Sequence, residues 1–133
     1  MDKKFLIAGA CFGLIGVITG AFATHGLQPI LTEASMKSFE TAVKYQMYHA
    51  LLLLLLGAKI LLTPKLRDVI FYLFIFGIIF FSGSIYLLAT NNLTEIDFKS
   101  IALVTPFGGS LLILGWILML VSVLKLKKED LRQ

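Results

Sequence analysis

The chain has 133 residues, of which 58% are hydrophobic and only 15% charged, and its mean hydropathy is +0.90. Soluble domains are usually about 45–50% apolar and about 25% charged, so the composition excludes an ordinary soluble domain and indicates an integral membrane protein. The formal net charge of +4 is small and comes mainly from lysines beside helix ends, which favours membrane lipid over nucleic acid as the partner.

The first predicted span covers about residues 5–24. It follows two lysines and ends in Ala21-Phe22-Ala23, a pattern that also occurs at signal-peptide cleavage sites. The apolar run is longer than an ordinary signal core, so we expect a retained helix. Small-xxx-small spacing predicts close packing within the bundle, with a homodimer contact as the alternative, and the glycines concerned are Gly9, Gly13, Gly16 and Gly20.

The residues before the second span have a different character. At about 32–43, apolar and charged residues recur on separate helix faces, which predicts a short amphipathic helix at the membrane interface that bends or runs into the next span. Thr32 or Ser35 is the expected N-cap of this helix. The second span is predicted at about 43–62, with Pro64 as its stop signal.

Two further spans complete an all-α, up-down bundle of four helices in a single domain, residues 1–133. The third span is predicted at about 69–89, after a short turn at 65–68, and the fourth at about 101–124. Thr105-Pro106 either kinks the fourth helix or begins it. Two more glycines beside this proline, Gly108 and Gly109, are expected at a close helix contact, with room for a ligand as the alternative.

The lysines and arginines predict how the bundle is oriented. If the N-terminus is inside, nine of the twelve lie on that side, and only Lys37, Lys44 and Lys99 lie outside. Cytoplasmic loops carry the excess of basic residues. We therefore expect a multi-pass protein of the plasma membrane with both termini in the cytoplasm.

Polar side chains concentrate in one half of this predicted bundle. With the expected topology, nearly all of the hydrogen-bonding side chains of the spans lie toward the outer leaflet. Such groups usually face the interior of a bundle and are functional candidates. The predicted ligand-binding residues are Thr24, His25, Tyr45, Gln46, His49, Ser82, Ser84, Tyr86 and Thr105.

Four motifs resemble the domain-of-unknown-function 423 family (UPF0382), small four-helix membrane proteins similar to the mitochondrial transmembrane-protein-256 group. The motifs are residues 20–27, 42–51 and 82–87, and 105–109 together with Gly115-Trp116. They occur in the family's order and extend over essentially the whole chain. The resemblance implies a fold and a membrane location, and it carries no activity with it.

The two histidines admit several interpretations. His25 and His49 could hold a metal or a haem from two helices, but no third ligand has metal-site spacing. Alternatively, both imidazoles bond to backbone or tyrosine oxygens and fix the corner between two helices. A hydrolase would need Ser82 or Ser84 as nucleophile with His49 as base. Since no nucleophile elbow or other catalytic signature is present, we expect neither catalysis nor a cofactor.

The sequence favours a non-enzymatic membrane protein that holds a lipid-like or small amphipathic ligand in an outer-leaflet polar pocket. One alternative is a structural or accessory subunit that packs through the glycines of the first helix, as a homo-oligomer or in a larger membrane complex. The second alternative is haem or metal binding through His25 and His49.

Overall fold

The structure, a computed structural model, describes residues 1–59 and 62–129, and this part of the chain is helical without strands. The predicted all-helical class is therefore confirmed. The helices are α1 (Lys3–Phe22), a first π segment (Ala23–Leu27), α2 (Glu33–Ala58), α3 (Pro64–Ile78), a second π segment (Ile79–Gly83), α4 (Ser84–Ala89) and α5 (Val104–Lys125). Two sequence predictions extend beyond the described residues: the last residues of the second span, Ile60 and Leu61, and Arg132 in the count of basic residues.

Within the described part of the chain, three helical stretches are long and apolar enough to cross a membrane, namely Lys3–Leu27, Pro64–Ala89 and Lys99–Lys125. They coincide with the first, third and fourth predicted spans. α2 has 26 residues, which corresponds to about 39 Å at 1.5 Å per residue. Its first half is too polar for it to join this group, so the second span stays a prediction.

α2 is one uninterrupted helix. The amphipathic helix predicted at 32–43 and the start of the second predicted span are continuous in it. The reason is local, because no glycine or proline occurs between Glu33 and Leu56 to end the helix. Thr32 is the N-cap, as its hydroxyl accepts a hydrogen bond from the Ser35 amide at 3.1 Å.

Pro64 and Pro106 each lie in the first turn of a helix. Pro64 occupies the first position of α3, so the turn predicted at 65–68 is wrong and these residues are helical. Proline suits this position because its missing N–H would have had no partner there. Pro106 lies in the first turn of α5, which decides that Thr105-Pro106 begins this helix.

The bundle consists of two helical hairpins, with α1 against α2 and α3 against α5. In the first hairpin, α1 and α2 pack antiparallel in a constant register. Gly9 faces Leu54, Gly13 faces Ala50, Gly16 faces Met47 and Gly20 faces Val43. Glycine permits this approach because it leaves no side chain between the helices. The glycine face of α1 is thus covered by α2 of the same chain.

The second hairpin has the same construction. Gly77 faces Leu112, Gly115 faces the Phe74 ring, and Gly108 lies against the backbone of the second π segment. The two hairpins meet in a core of buried apolar side chains, which comprises Phe5, Leu53, Leu56, Leu62, Ile70, Phe74, Ile78 and Leu112. The burial of these side chains holds the hairpins together.

Polar contacts join the chain at the end of the bundle that carries the N-terminus. The Asp2 carboxylate caps α1 through the Lys4 amide at 3.1 Å and pairs with Arg67 Nε at 2.8 Å. Lys4 forms an ion pair with Asp68. Since Arg67 and Asp68 lie in the first two turns of α3, these pairs fix the starts of α1 and α3 beside each other.

Candidate functional site

Gln46 is the residue that joins most elements. Its side-chain amide Nε2 donates to the Phe12 carbonyl of α1 at 2.8 Å, and its Oε1 accepts from the Tyr86 hydroxyl of α4 at 2.7 Å. Gln46 is only 3% exposed. Gly16 lies beside this bond, where an added Cβ would meet the Met47 sulfur at 2.5 Å and would be in ordinary contact with Nε2 at 3.5 Å. An amide buried in this way links α1, α2 and α4.

His49 has both of its ring nitrogens engaged. Trp116 Nε1 of α5 donates to His49 Nε2 at 3.1 Å, and His49 Nδ1 lies 2.7 Å from the Tyr45 carbonyl. An indole N–H can only donate, so Nε2 must be unprotonated and Nδ1 must carry the hydrogen. His49 is therefore the neutral Nδ1–H tautomer, and it joins α2 to α5.

Hydroxyl groups of the second π segment and of the start of α4 bond to neighbouring elements. Ser82 Oγ donates to the Ala42 carbonyl of α2 at 2.8 Å. Ser84 Oγ contacts the Phe81 carbonyl at 3.0 Å and Thr105 Oγ1 of α5 at 2.6 Å. A π turn widens the helix and leaves carbonyls that need other partners, and here the serine hydroxyl serves that purpose.

These bonds satisfy the polar side-chain atoms of a group that we call the polar cluster, which consists of Gln46, His49, Ser82, Ser84, Tyr86 and Thr105. Among the described residues, no buried side-chain nitrogen or oxygen lacks a hydrogen-bond partner. The structure brings Gln46 and Tyr86 together, and likewise Ser84 and Thr105, while Ser82 and His49 bond to other groups. Their ligand-binding role stays a prediction, since each bond described for them is to the protein itself.

The remaining predicted site residues lie elsewhere. Thr24 and His25 are exposed in the first π segment, and the Thr24 hydroxyl contacts the Gly20 carbonyl at 3.3 Å. Tyr45 is 43% exposed, and its ring packs on Phe81 with 5.0 Å between centroids. His25 therefore differs from His49 in its surroundings, as one imidazole is open and the other is buried and fully bonded.

A groove of about 600 Å³ opens between α2, α4 and the start of α5. We call it the outer groove. Its walls carry four hydroxyl-bearing residues and six apolar ones, and they consist of Ala34, Ser35, Ser38, Thr41, Ile85, Leu88, Ala89, Ala102, Thr105 and Pro106. Thr105 is the one predicted site residue in its lining.

A second cavity of about 650 Å³ lies on a different face of α2. Its lining includes four charged side chains with alternating sign, namely Glu33, Lys37, Glu40 and Lys44. Thr41 borders both cavities, whereas of the two the four charged residues line only the second cavity and Ser35 and Ser38 line only the outer groove. This separation gives the groove an uncharged lining.

The sequence prediction missed two parts of this arrangement. Ser35 and Ser38 lie three residues apart and Thr41 three further on, so they share a helix face, and that spacing was a usable signal. Trp116 was noted only as part of a motif, although it donates to His49. No local pattern could have found that bond, because 67 residues separate the partners.

The chemistry available at the cluster is limited by these bonds. A metal or haem at His49 Nε2 would have to displace Trp116. In the described part of the chain, no group of three or more His, Cys, Asp or Glu side chains is placed to hold a metal ion. Ser82 and Ser84 bond to backbone carbonyls, and the Nε2 that would serve as base already accepts from Trp116.

Comparison with known proteins confirms the family predicted from the motifs. Residues 19–109 match the family model described as "Protein of unknown function (DUF423)". A UPF0382 membrane protein of Staphylococcus epidermidis is 42% identical over 123 residues, which is 92% of this chain and 97% of the relative.

Relatives with lower identity occur in other bacteria. A UPF0382 membrane protein of Haemophilus influenzae is 35% identical over 117 residues, 88% of this chain and 90% of the relative. The UPF0382 membrane protein YwdK of Bacillus subtilis is 35% identical over 128 residues, 92% of this chain and 98% of the relative. No solved structure matches the chain.

Proposed function

We propose that this chain, which belongs to the DUF423 family of UPF0382 membrane proteins, crosses the plasma membrane four times. Its function is to hold a lipid-like or small amphipathic molecule in the outer groove. The observation that carries this proposal is the groove itself, whose lining combines three hydroxyls on α2 and one on α5 with apolar side chains. Binding sites for amphipathic molecules combine such a mostly apolar lining with a few polar groups.

The antiparallel register supports α2 as a membrane span, the second of the four in chain order. The stretch from Val43 to Leu54 runs alongside α1 from Gly20 to Gly9. If α1 crosses the bilayer, this half of α2 must lie at the same depth as α1. The polar side chains that make α2 less apolar are tolerable there, because Gln46 and His49 are bonded within the bundle.

The distribution of basic residues supports the orientation. The ends of α1, α2, α3 and α5 that meet near Asp2 carry most of the lysines and arginines, and the cytoplasmic side of membrane proteins has this excess. The groove lies at the opposite end, where α2 and α5 begin and α4 ends. With both termini in the cytoplasm, the groove faces the outer leaflet.

Cysteine labelling tests the four spans. In a Cys11→Ser background, single cysteines replace Glu33 and Lys59, the two ends of α2, and intact cells receive a membrane-impermeant maleimide. We expect the cysteine at position 33 to react and that at position 59 to react only after lysis. Reaction of both from the same side would mean that α2 does not cross the membrane.

Native mass spectrometry from a gentle detergent tests the ligand. Ala34→Trp fills the groove from an exposed position, and Ala21→Trp is the matched control on exposed α1. We expect a co-purified adduct of lipid mass on wild type and on the control, and its loss from Ala34→Trp. An adduct that is absent from wild type, or that persists in Ala34→Trp, would overturn the groove as the binding site.

A further inference from the structure

The lining of the outer groove indicates the charge of the molecule that it binds. Its lining contains no Asp, Glu, Lys, Arg or His, and the charged residues of α2 line the second cavity instead. Transfer of an ionised group out of water costs several kcal/mol unless an opposite charge or enough hydrogen bonds compensate. The groove offers no such opposite charge to a phosphate, a carboxylate or an ammonium group.

The hydroxyls of the groove offer both kinds of hydrogen bond. In the described part of the chain, the side-chain oxygens of Ser35 and Ser38 have no hydrogen-bond partner, so both can donate and accept. Thr41 donates to the Lys37 carbonyl at 3.0 Å, and Thr105 shares a hydrogen with Ser84. These two threonines therefore have lone pairs available as acceptors.

The rest of the lining is apolar and suits hydrocarbon. Ile85, Leu88 and Ala89 come from α4, Ala102 lies just before α5, and Pro106 lies in the first turn of α5. An occupant with hydroxyl or ester groups beside α2 and an acyl chain beside α4 would satisfy both walls. Free hydroxyls match the two serines as donors and acceptors, and an ester carbonyl matches them as donors.

We propose that the outer groove selects an amphiphile with an uncharged, hydroxyl-bearing polar part, of the glyceride class, over charged lipids. This rests on the proposed function and narrows it to one chemical class. Discrimination comes from two sources, the hydrogen bonds that Ser35 and Ser38 make and the desolvation of a charged headgroup that the groove cannot compensate.

A competition experiment tests this selection. The purified full-length protein in mild detergent receives equal amounts of a diacylglycerol and a phosphatidylglycerol with the same acyl chains, and native mass spectrometry records both adducts. We expect at least a fivefold excess of the diacylglycerol adduct. The double variant Ser35→Ala/Ser38→Ala should lose roughly five- to tenfold in diacylglycerol binding, on the usual strength of hydrogen bonds.

Two variants make each outcome decisive. Ser110→Ala removes an exposed hydroxyl of α5 that bonds to the Pro106 carbonyl, and it should keep the diacylglycerol preference. Equal or stronger phosphatidylglycerol binding that Ala34→Trp abolishes would overturn the selection for an uncharged head while the proposed function stands. If neither lipid binds, the selection of a glyceride is overturned. If Ala34→Trp leaves lipid binding intact, the proposed function itself is overturned. Undiminished diacylglycerol binding by the double serine variant would overturn the role of the two hydroxyls.

Discussion

The close approach of α1 and α2 makes a pair of glycine-to-alanine substitutions informative. At Gly9, an added Cβ would lie 2.8 Å from the Ala50 carbonyl oxygen and 2.9 Å from the Leu54 amide nitrogen, both backbone atoms. At Gly13, one turn away, the nearest atom would be Ala50 Cβ at 4.0 Å. The same chemical change therefore meets fixed backbone at one position and ordinary van der Waals contact at the other.

The expected magnitude at Gly9 follows from these distances. Comfortable contacts between heavy atoms begin near about 3.5 Å, so in Gly9→Ala the helices must separate by roughly 0.7 Å. Overpacking of this kind costs about 1–3 kcal/mol. Alanine stabilises a helix relative to glycine by at most about 1 kcal/mol. This stabilisation is smaller if α1 stays helical in the bilayer after the helices separate, because both states then contain the helix. We expect Gly9→Ala to lower the free energy of unfolding by about 1–2 kcal/mol, and Gly13→Ala to leave it unchanged or slightly higher.

The chain provides its own probe for this measurement, because it has one tryptophan and one cysteine. Cys11 is exposed on α1 and Trp116 lies on α5, so energy transfer from Trp116 to a dye on Cys11 reports on contact between the two hairpins. The transfer is followed while sodium dodecyl sulfate is titrated into a mild detergent. Equal losses of stability in Gly9→Ala and Gly13→Ala would refute the assignment of the close contact to Gly9.

Two further predictions concern α5. Gly108→Ala should destabilise the protein by about 1–3 kcal/mol, because its Cβ would meet the backbone of the second π segment, including a carbonyl carbon at 2.6 Å. The neighbouring Gly109→Ala, with ring atoms no closer than 3.5 Å, should be nearly neutral, and the detergent titration above compares the two. Diethyl pyrocarbonate should modify exposed His25 and spare buried His49, and Trp116→Phe should expose His49 Nε2 to the reagent, as peptide mapping by mass spectrometry would record. Rapid modification of His49 in wild type would contradict the bond described for it.

The spans of α1, α3 and α5 could be predicted from the sequence because mean hydropathy is a local property. Mean hydropathy does not identify α2 as a span, because Gln46 and His49 lower it. The hydrogen-bond partners of these two side chains lie on other helices. The glycines of α1 predicted a close helix contact, but spacing alone does not show which helix approaches them. Antiparallel α2 is the helix that does so.

Other features depend on context that a single sequence does not contain. Pro64 is compatible with the end of one helix and with the start of the next, and only the chain around it decides. The π segments have no residue signature that distinguishes them from α-helix. The outer groove forms where residues 34–41, 85–89 and 102–106 come together, so it follows from the packing of three elements.

The hydrogen bonds of the polar cluster have an asymmetry that bears on tolerance to mutation. The side chains of Gln46, Ser82 and His49 each bond to a backbone carbonyl, those of Phe12, Ala42 and Tyr45 respectively. Every amino acid supplies a backbone carbonyl, so each bond constrains the identity of one residue only. Saturation mutagenesis should therefore find the donor positions nearly invariant, whereas half-exposed Tyr45 should accept many side chains without loss of the bond that its carbonyl receives.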